Sequence, residues 1–326
     1  MNNVSVFVKK VSCFITLLLI SVLYLSIALS TWASSQGGAK KIYDSHGNAV
    51  FIEKPFLNII SLYSAHTENL CSIGAAKQLA GISRNDDYPE NILKKPRFSY
   101  REDPEKFIAH NPDLVLIRPM VERSYPEFIK KLRAAGIQVI SLQPTSIREM
   151  LDYWKTLGII SGHEKEASAL VEKFESEIRN IRTQVARIPQ NDRPKVYFEA
   201  IHKKMKTFAE TSIGMFILET AGGINIAQDA TRVRTTNIAF FGKEKLLSRG
   251  DEIDIFLSQY GRMNPVTIET ITSEPGFKAI RAIRENRVYL IEEQLVSRPT
   301  IRILEGIDKL HSIFFKQESH SAESNQ

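Results

Sequence analysis

Seven histidines invite a search for chemistry, and their spacing argues against it. His46, His66, His110, His163, His202, His311 and His320 are scattered, with no two at metal-ligand spacing on one element. No G-x-S-x-G, H-E-x-x-H, P-loop or G-x-G-x-x-G stretch occurs. The usual nucleophile elbows, zinc helices and phosphate loops therefore have no counterpart. Carboxylates are plentiful but form no recognisable acid–base pair, so no catalytic residue and no metal ligand is assigned. One stretch does invite a site. "NIISLYSAHTENLCSIG", residues 58–74, opens like a buried strand and closes like a short helix, with Ser64, Ala65, His66 and Thr67 at the junction. The first amides of a helix lack partners within it, and the helix dipole adds partial positive charge there. Such an end can hold an anionic or carbonyl group of a ligand. The alternative is plain capping by Ser64 or Thr67, with Glu68 in support. His66 stands where a side chain could reach a ligand.

The elements that must carry this turn read as α/β. Apolar runs flank Ser45-His46-Gly47-Asn48, a hairpin signal. "FLNIISLY" and "QLAGIS" read as strands, the second ending in the polar loop "RNDDYP". "DPEKFIAHNPDLVLIRP" and "YPEFIKKLRAAGIQVISLQP" each run from helix to strand, the second helix stopping at Gly136. Strands alternating with short helices imply a mostly parallel sheet over residues 40–143. Residues 144–190 contain no strand-like run. "SIREMLDYWKTLGIISG" and "HEKEASALVEKFESEIRNIRTQVARI" have helical spacing, and Ala169, Phe174, Ile178, Ile181 and Val185 share one face of the second. Alternation resumes over 191–315: "KVYFEAI", "IDIFLSQ" and "RVYLIEE" as strands, "SIGMFILETAGG", "PGFKAIRAIREN" and "RPTIRILEGIDKLHSIFF" as helices. The expected fold is two α/β lobes with mostly parallel sheets joined by a long helical connector, followed by a polar tail, 316–326.

Bulk composition bounds the function. The chain has 326 residues, 43% hydrophobic and 25% charged, enough apolar mass for one large or two medium domains. Lys9-Lys10 precede an uncharged apolar run, Val11 to Ala33, with small residues at Thr31 and Ala33. Residues 1–33 thus read as a secretory signal cut near Ala33, and an uncleaved anchor is the rival, since the run could span a bilayer of roughly 30 Å. Export is expected either way. Cys13 and Cys71 are the only cysteines. Removing the signal leaves Cys71 alone in "ENLCSIG", read as a small buried apolar residue. The formal charge is +6, of which Lys9 and Lys10 supply two. That is too mild for a nucleic-acid partner, and no basic stripe with interleaved aromatics appears.

The order and spacing of "NIISLYSAHTENLCSIGAAKQLAGISRNDDYP", "DPEKFIAHNPDLVLI", "AGIQVISL", "GGINIA", "GKEKLLS", "IDIFL", "NRVYLI" and "SRPTIRILEGI" carry a resemblance over about residues 40–315. The chain resembles the periplasmic-binding proteins for iron-siderophores, haem and cobalamin, the substrate-binding partners of ABC importers. The resemblance implies two lobes bridged by one long helix, a ligand cleft between them, and no catalysis. It implies a small-molecule metal chelate as cargo, most readily a ferric siderophore and alternatively cobalamin or haem, with no resident cofactor. It also implies an ABC permease as partner, a periplasmic location, and a monomer. Loops at strand ends then supply the cleft candidates. These are Arg84, Asn85, Tyr88, Tyr100 and Arg118 in the first lobe, and Arg232, Arg234, Phe240 and Arg298 in the second, beside Ser64 and His66. Asn85 stands where some relatives carry an aromatic, which weighs against cobalamin-type packing. Arginine pairs bidentately with carboxylate or catecholate oxygens, so several arginines imply an anionic ligand. Glu105 in "DPEKF" and Glu244 in "GKEKLL" match the acidic residue that each lobe of such proteins offers to permease arginines.

Overall fold

The computed structural model describes residues 38–315 except Thr235. The expected signal segment and the polar tail lie outside the described residues. A hairpin pairs β1, Lys40–Tyr43, with β2, Ala49–Ile52. The Asp44 carboxylate builds its turn by accepting from the amides of His46 and Asn48, each at 2.8 Å. Residues 38–42 and 50–54 form one compact unit, and residues 43–49 and 55–315 form the other.

The N-terminal lobe, in the larger unit, is a five-stranded parallel sheet ordered β5-β4-β3-β6-β7. Its strands are β3 Ile59–Ser61, β4 Leu79–Ser83, β5 Arg97–Phe98, β6 Leu114–Ile117 and β7 Gln138–Ser141. β3 and β6 are buried at every residue, as expected for strands covered on both faces. The helices are α1 Ser64–Ser72, α2 Pro104–Ile108, α3 Pro119–Ser124 and α4 Pro126–Ala134. On one face Phe107 packs between Phe98, ring centroids 4.8 Å apart, and Phe128, 5.0 Å apart.

The connector is two helices rather than one. α5, Ile147–Ser161, is capped by Ser146, whose hydroxyl accepts from the Glu149 amide at 3.3 Å. It ends at Gly162, whose φ of 74° is left-handed and suits a residue without a side chain. α6, Glu164–Val185, then runs 22 residues, about 33 Å at 1.5 Å per residue. The two helices touch through Gly158, where an added Cβ would meet that of Ala167 at 2.6 Å. Gly158 is therefore a contact requirement and Gly162 a conformational one.

The C-terminal lobe is a sheet ordered β11-β12-β9-β8-β13-β14, with β10 also on β8. β8 Lys195–Ile201, β10 Ile224–Asn225, β13 Ile255–Tyr260 and β14 Val288–Glu292 are parallel. β9 Lys206–Phe208, β11 Thr231–Arg232 and β12 Ile238–Phe240 are antiparallel. Those three are two or three residues long, too short for a period of two to show in sequence. Helices α7 Ile213–Thr220, α8 Lys243–Ser248, α9 Ile268–Thr272, α10 Arg281–Arg284, α11 Glu293–Val296 and α12 Ile303–Phe315 complete it. "PGFKAIRAIREN" was expected as one helix, and the structure breaks it. Ile280 is extended, at φ −84° and ψ 127°. Its side chain is wholly buried in the core with Phe277 and Ile283, so tertiary burial overrides helical propensity there.

Candidate functional site: the cleft between two sheets

The carboxyl ends of β3, β4, β6 and β7 open onto a cleft of about 1310 Å³, and the carboxyl ends of β8, β13 and β14 form its other wall. Such strand ends are where open α/β sheets hold ligands, because the turns that follow are free to present side chains. α5 adds Glu149, Asp152 and Tyr153 along one side, and the hairpin turn adds Asp44, Ser45 and His46. That turn is anchored beside β7: the Ser45 amide donates to Ser141 O at 2.8 Å and its hydroxyl accepts from the Gln143 amide at 2.7 Å.

Of the sequence-derived candidates, Ser64, Asn85, Tyr100, Arg118, Arg232 and Arg298 line the cleft. Ser64 is nearly buried and its hydroxyl donates to Asn85 O at 3.2 Å. Tyr63, at the N-cap of α1, provides no side-chain cap. Arg118 lies 4.5 Å over the Tyr63 ring, and its buried Nε has no hydrogen-bond partner among the described residues. Stacking on an aromatic face fixes a guanidinium without neutralising it. Arg232 donates to Thr236 O at 2.8 Å. Arg298 is different. It is only 13% exposed and is paired with Glu68, itself 1% exposed, and with Asp87. Its charge is consumed within the protein, and it joins the second lobe to α1 and the loop after β4.

Arg84, Tyr88, Arg234, Phe240 and His66 do not line the cleft. Arg84 points outward and pairs with Glu102. Tyr88 lies beneath Arg302, 4.4 Å from guanidinium to ring centre. Arg234 is exposed at φ 52°, and Phe240 is 54% exposed at the end of β12. His66 is wholly buried in α1, behind the lining. Its Nε2–H donates to Ile117 O at 3.1 Å, so Nδ1 is free to accept from the Tyr153 hydroxyl at 2.6 Å. Helical geometry turned the side chain inward, and the partner that takes it lies 87 residues away. His66 therefore holds the hydroxyl of a cleft residue, Tyr153, from behind the lining. Cys71 is half-buried near the end of α1, and burial pushes its thiol up to about 12, consistent with an inert side chain.

Burial also drives the His66 pKa down to about 3 from its ordinary 6.5. The unfolded chain takes up a proton below about 6.5, and the folded chain refuses it until about 3. Stability is thus lost as pH falls through that window, by on the order of 4 kcal/mol at its lower end. Replacing His66 by Gln removes the ionisable group. Denaturant titrations from about pH 7 to pH 4 should show a flatter stability profile for His66→Gln than for the parent. Parallel profiles would mean that the imidazole takes its proton in the folded state.

Reading the sequence missed Tyr63, Tyr153, Lys206 and Arg262, which all line the cleft. Arg262 was findable. It sits in "YGRMN", a polar turn directly after the buried strand β13, the same pattern that marked Ser64. Among the described residues, no group of three or more His, Cys, Asp or Glu is placed to hold a metal ion.

A family model described as periplasmic binding protein matches residues 59–295. The chain belongs to this family. An ABC transporter substrate-binding lipoprotein of Bacillus subtilis, YvrC, is 26% identical over 273 residues, 82% of this chain and 83% of that one. A vitamin B12-binding protein of Yersinia pseudotuberculosis is 23% identical over 64% of this chain and 72% of its own. Among solved structures, a possible iron-binding (periplasmic solute-binding) protein of Staphylococcus epidermidis superposes with a TM-score of 0.69 at 28% identity, covering 80% of this chain and all of that one. The resemblance carried by the sequence motifs is thereby shown at the level of the class. This periplasmic binding protein is a substrate-binding protein of the siderophore, haem and B12 importer class and not an enzyme. Proteins of this class carry a transported ligand, not a cofactor. No helix among the described residues is long and apolar enough to cross a membrane.

Proposed function

We propose that the protein captures an anionic ferric chelate, of the siderophore type, in the cleft and delivers it outside the cytoplasmic membrane to an ABC permease. The observation that supports this reading is the state of the cleft cations. Arg298 is neutralised by Glu68 and Asp87, whereas Arg118, Lys206, Arg232 and Arg262 line the cleft with no carboxylate within ion-pair distance among the described residues. Uncompensated cations in a concave site attract anions and strengthen with desolvation. A metal chelate arrives with its own donors, so the protein's contacts are made to its organic shell. Glu105 and Glu244 are proposed as the permease contacts, and the protein is proposed to work as a monomer.

The deciding experiment titrates the purified protein with four probes: a triply negative ferric tris-catecholate, a neutral ferric tris-hydroxamate, haem and cobalamin. The tris-catecholate should bind most tightly and raise the melting temperature by mass action. A charge-assisted hydrogen bond contributes about 1.5–3 kcal/mol. Arg118→Ala/Arg232→Ala should therefore weaken that binding at least about tenfold. Tight binding of cobalamin alone, unchanged in the variant, would overturn the reading.

A further inference from the structure

Two of the cleft residues meet across its mouth. Arg262, in the turn after β13 of the second lobe, donates from Nη1 to the side-chain oxygen of Asn85, in the loop after β4 of the first lobe. Both line the cleft and both are exposed. The base of the Arg262 turn is firmly held. The Gly261 amide donates to Asn264 O at 3.1 Å, and the Met263 amide to Glu293 Oε2 at 2.8 Å. Asn264 is itself buried, accepting from the His202 amide at 2.9 Å and donating to Gln259 O at 2.8 Å. Gly261 adopts φ 156°, and an added Cβ would meet the Glu293 side chain at 2.5 Å, so a larger residue there would have to move the carboxylate that holds the Met263 amide. The Asn85 backbone is equally fixed, with its carbonyl bonded to the Ser64 hydroxyl and its amide to the Ser83 hydroxyl, each at 3.2 Å. The Asn85 side chain does nothing else among the described residues. Its one bond is to Arg262.

This pairing is chemically unequal. A guanidinium hydrogen-bonded to a neutral amide keeps its full charge and can exchange the amide for an anionic oxygen, which binds it roughly twice as strongly. The contrast with Arg298 is direct: Arg298 faces two carboxylates and has nothing to gain from a ligand. We propose that Arg262 and Asn85 form an exchangeable clasp over the cleft mouth, in which Asn85 holds the Arg262 guanidinium in the empty protein and surrenders it to an anionic oxygen of the entering ligand. Arg262 is then a specificity-determining residue, and Asn85 is its internal competitor rather than a ligand contact. This inference rests on the reading of the cleft as an anion-chelate site.

The competitor role has a signature that an ordinary contact lacks. Arg262→Ala should weaken binding of the ferric tris-catecholate by about tenfold or more, the loss of one charge-assisted bond. Asn85→Ala should do the reverse and tighten binding severalfold, since the guanidinium no longer has to leave a partner. The double variant should match Arg262→Ala alone, because a competitor has no effect once its target is gone. Neutral ferric tris-hydroxamate should be indifferent to all three. Circular dichroism and melting curves check that each variant folds. Weaker binding in Asn85→Ala would overturn the clasp, showing that Asn85 contacts the ligand. No change in Arg262→Ala would also overturn it, while Arg118→Ala/Arg232→Ala still reports on the cleft as a whole. If the parent protein fails to bind the tris-catecholate at all, the functional reading falls first and the clasp with it.

Discussion

Arg298→Ala is expected to lower the stability of the protein by about 3–5 kcal/mol, the cost of leaving a buried carboxylate without its partner. Glu68 is 1% exposed, and burial already pushes its carboxyl upward against the opposing pull of Arg298 and Arg302. Without Arg298, the nearest remaining cation is Arg302, at 3.8 Å. The same side chain binds Asp87, so one guanidinium closes the second lobe onto two elements of the first. The residue that follows extends the joint: Pro299 O accepts from Asn69 Nδ2 at 2.9 Å and from the buried Trp154 indole at 3.1 Å. For a unit of this size the melting temperature should fall by on the order of 10 °C. Calorimetry and urea titration measure it. Arg298→Ala/Glu68→Gln should recover part of the loss, since it removes the stranded charge. A drop in Arg298→Ala of under about 1 kcal/mol would show that the pair is screened like a surface ion pair.

The second large effect concerns transport rather than stability. Glu105 is the second residue of α2 in the N-terminal lobe, and Glu244 the second residue of α8 in the C-terminal lobe. Both are exposed, and neither has an ion-pair partner among the described residues. Their neighbours are otherwise committed: Glu102 to Arg84 and Lys106, Lys243 to Glu274. An exposed, unpaired carboxylate near the start of a short helix on each lobe suits docking to two separated cations of a permease and would set its register. Losing one partner of a charge pair that becomes buried on docking costs about 2–5 kcal/mol. Uptake by Glu105→Ala/Glu244→Ala into vesicles carrying the cognate importer should fall at least about thirtyfold. The ligand dissociation constant and the melting temperature should hardly move. Unaffected uptake would reduce both residues to solvated helix carboxylates, and lost ligand affinity would place them in the cleft after all.

Much of the architecture could be read from local pattern. Buried strands such as "NIISL" and "LVLI" are continuous apolar runs, which a covered parallel sheet demands. The glycine read as the stop of a helix, Gly136, marks the same boundary that the backbone shows at φ 81°. The strand-to-helix turn at Ser64 was recognisable because a continuous apolar run gives way there to small polar residues. The family followed from the order and spacing of these pieces. What local pattern could not carry was the choice among side chains at the ends of those strands. Arg118, Arg232 and Arg298 look alike in the sequence. Only the fold brings Glu68, 230 residues away, onto Arg298, and so turns one arginine into an interlobe bond while the other two face the cleft without a carboxylate partner among the described residues. His66 was sent to the core by the same cause, since its orientation depends on Tyr153 in another helix. Arg262 was raised to the cleft mouth by a turn whose anchors, Asn264 and Glu293, mean nothing until β13 and β14 lie side by side. Helix and strand are set by neighbours in the chain and are legible there. Charge compensation is set by neighbours in space, and in this protein it separates the uncompensated arginines of the cleft from the one that holds the lobes together.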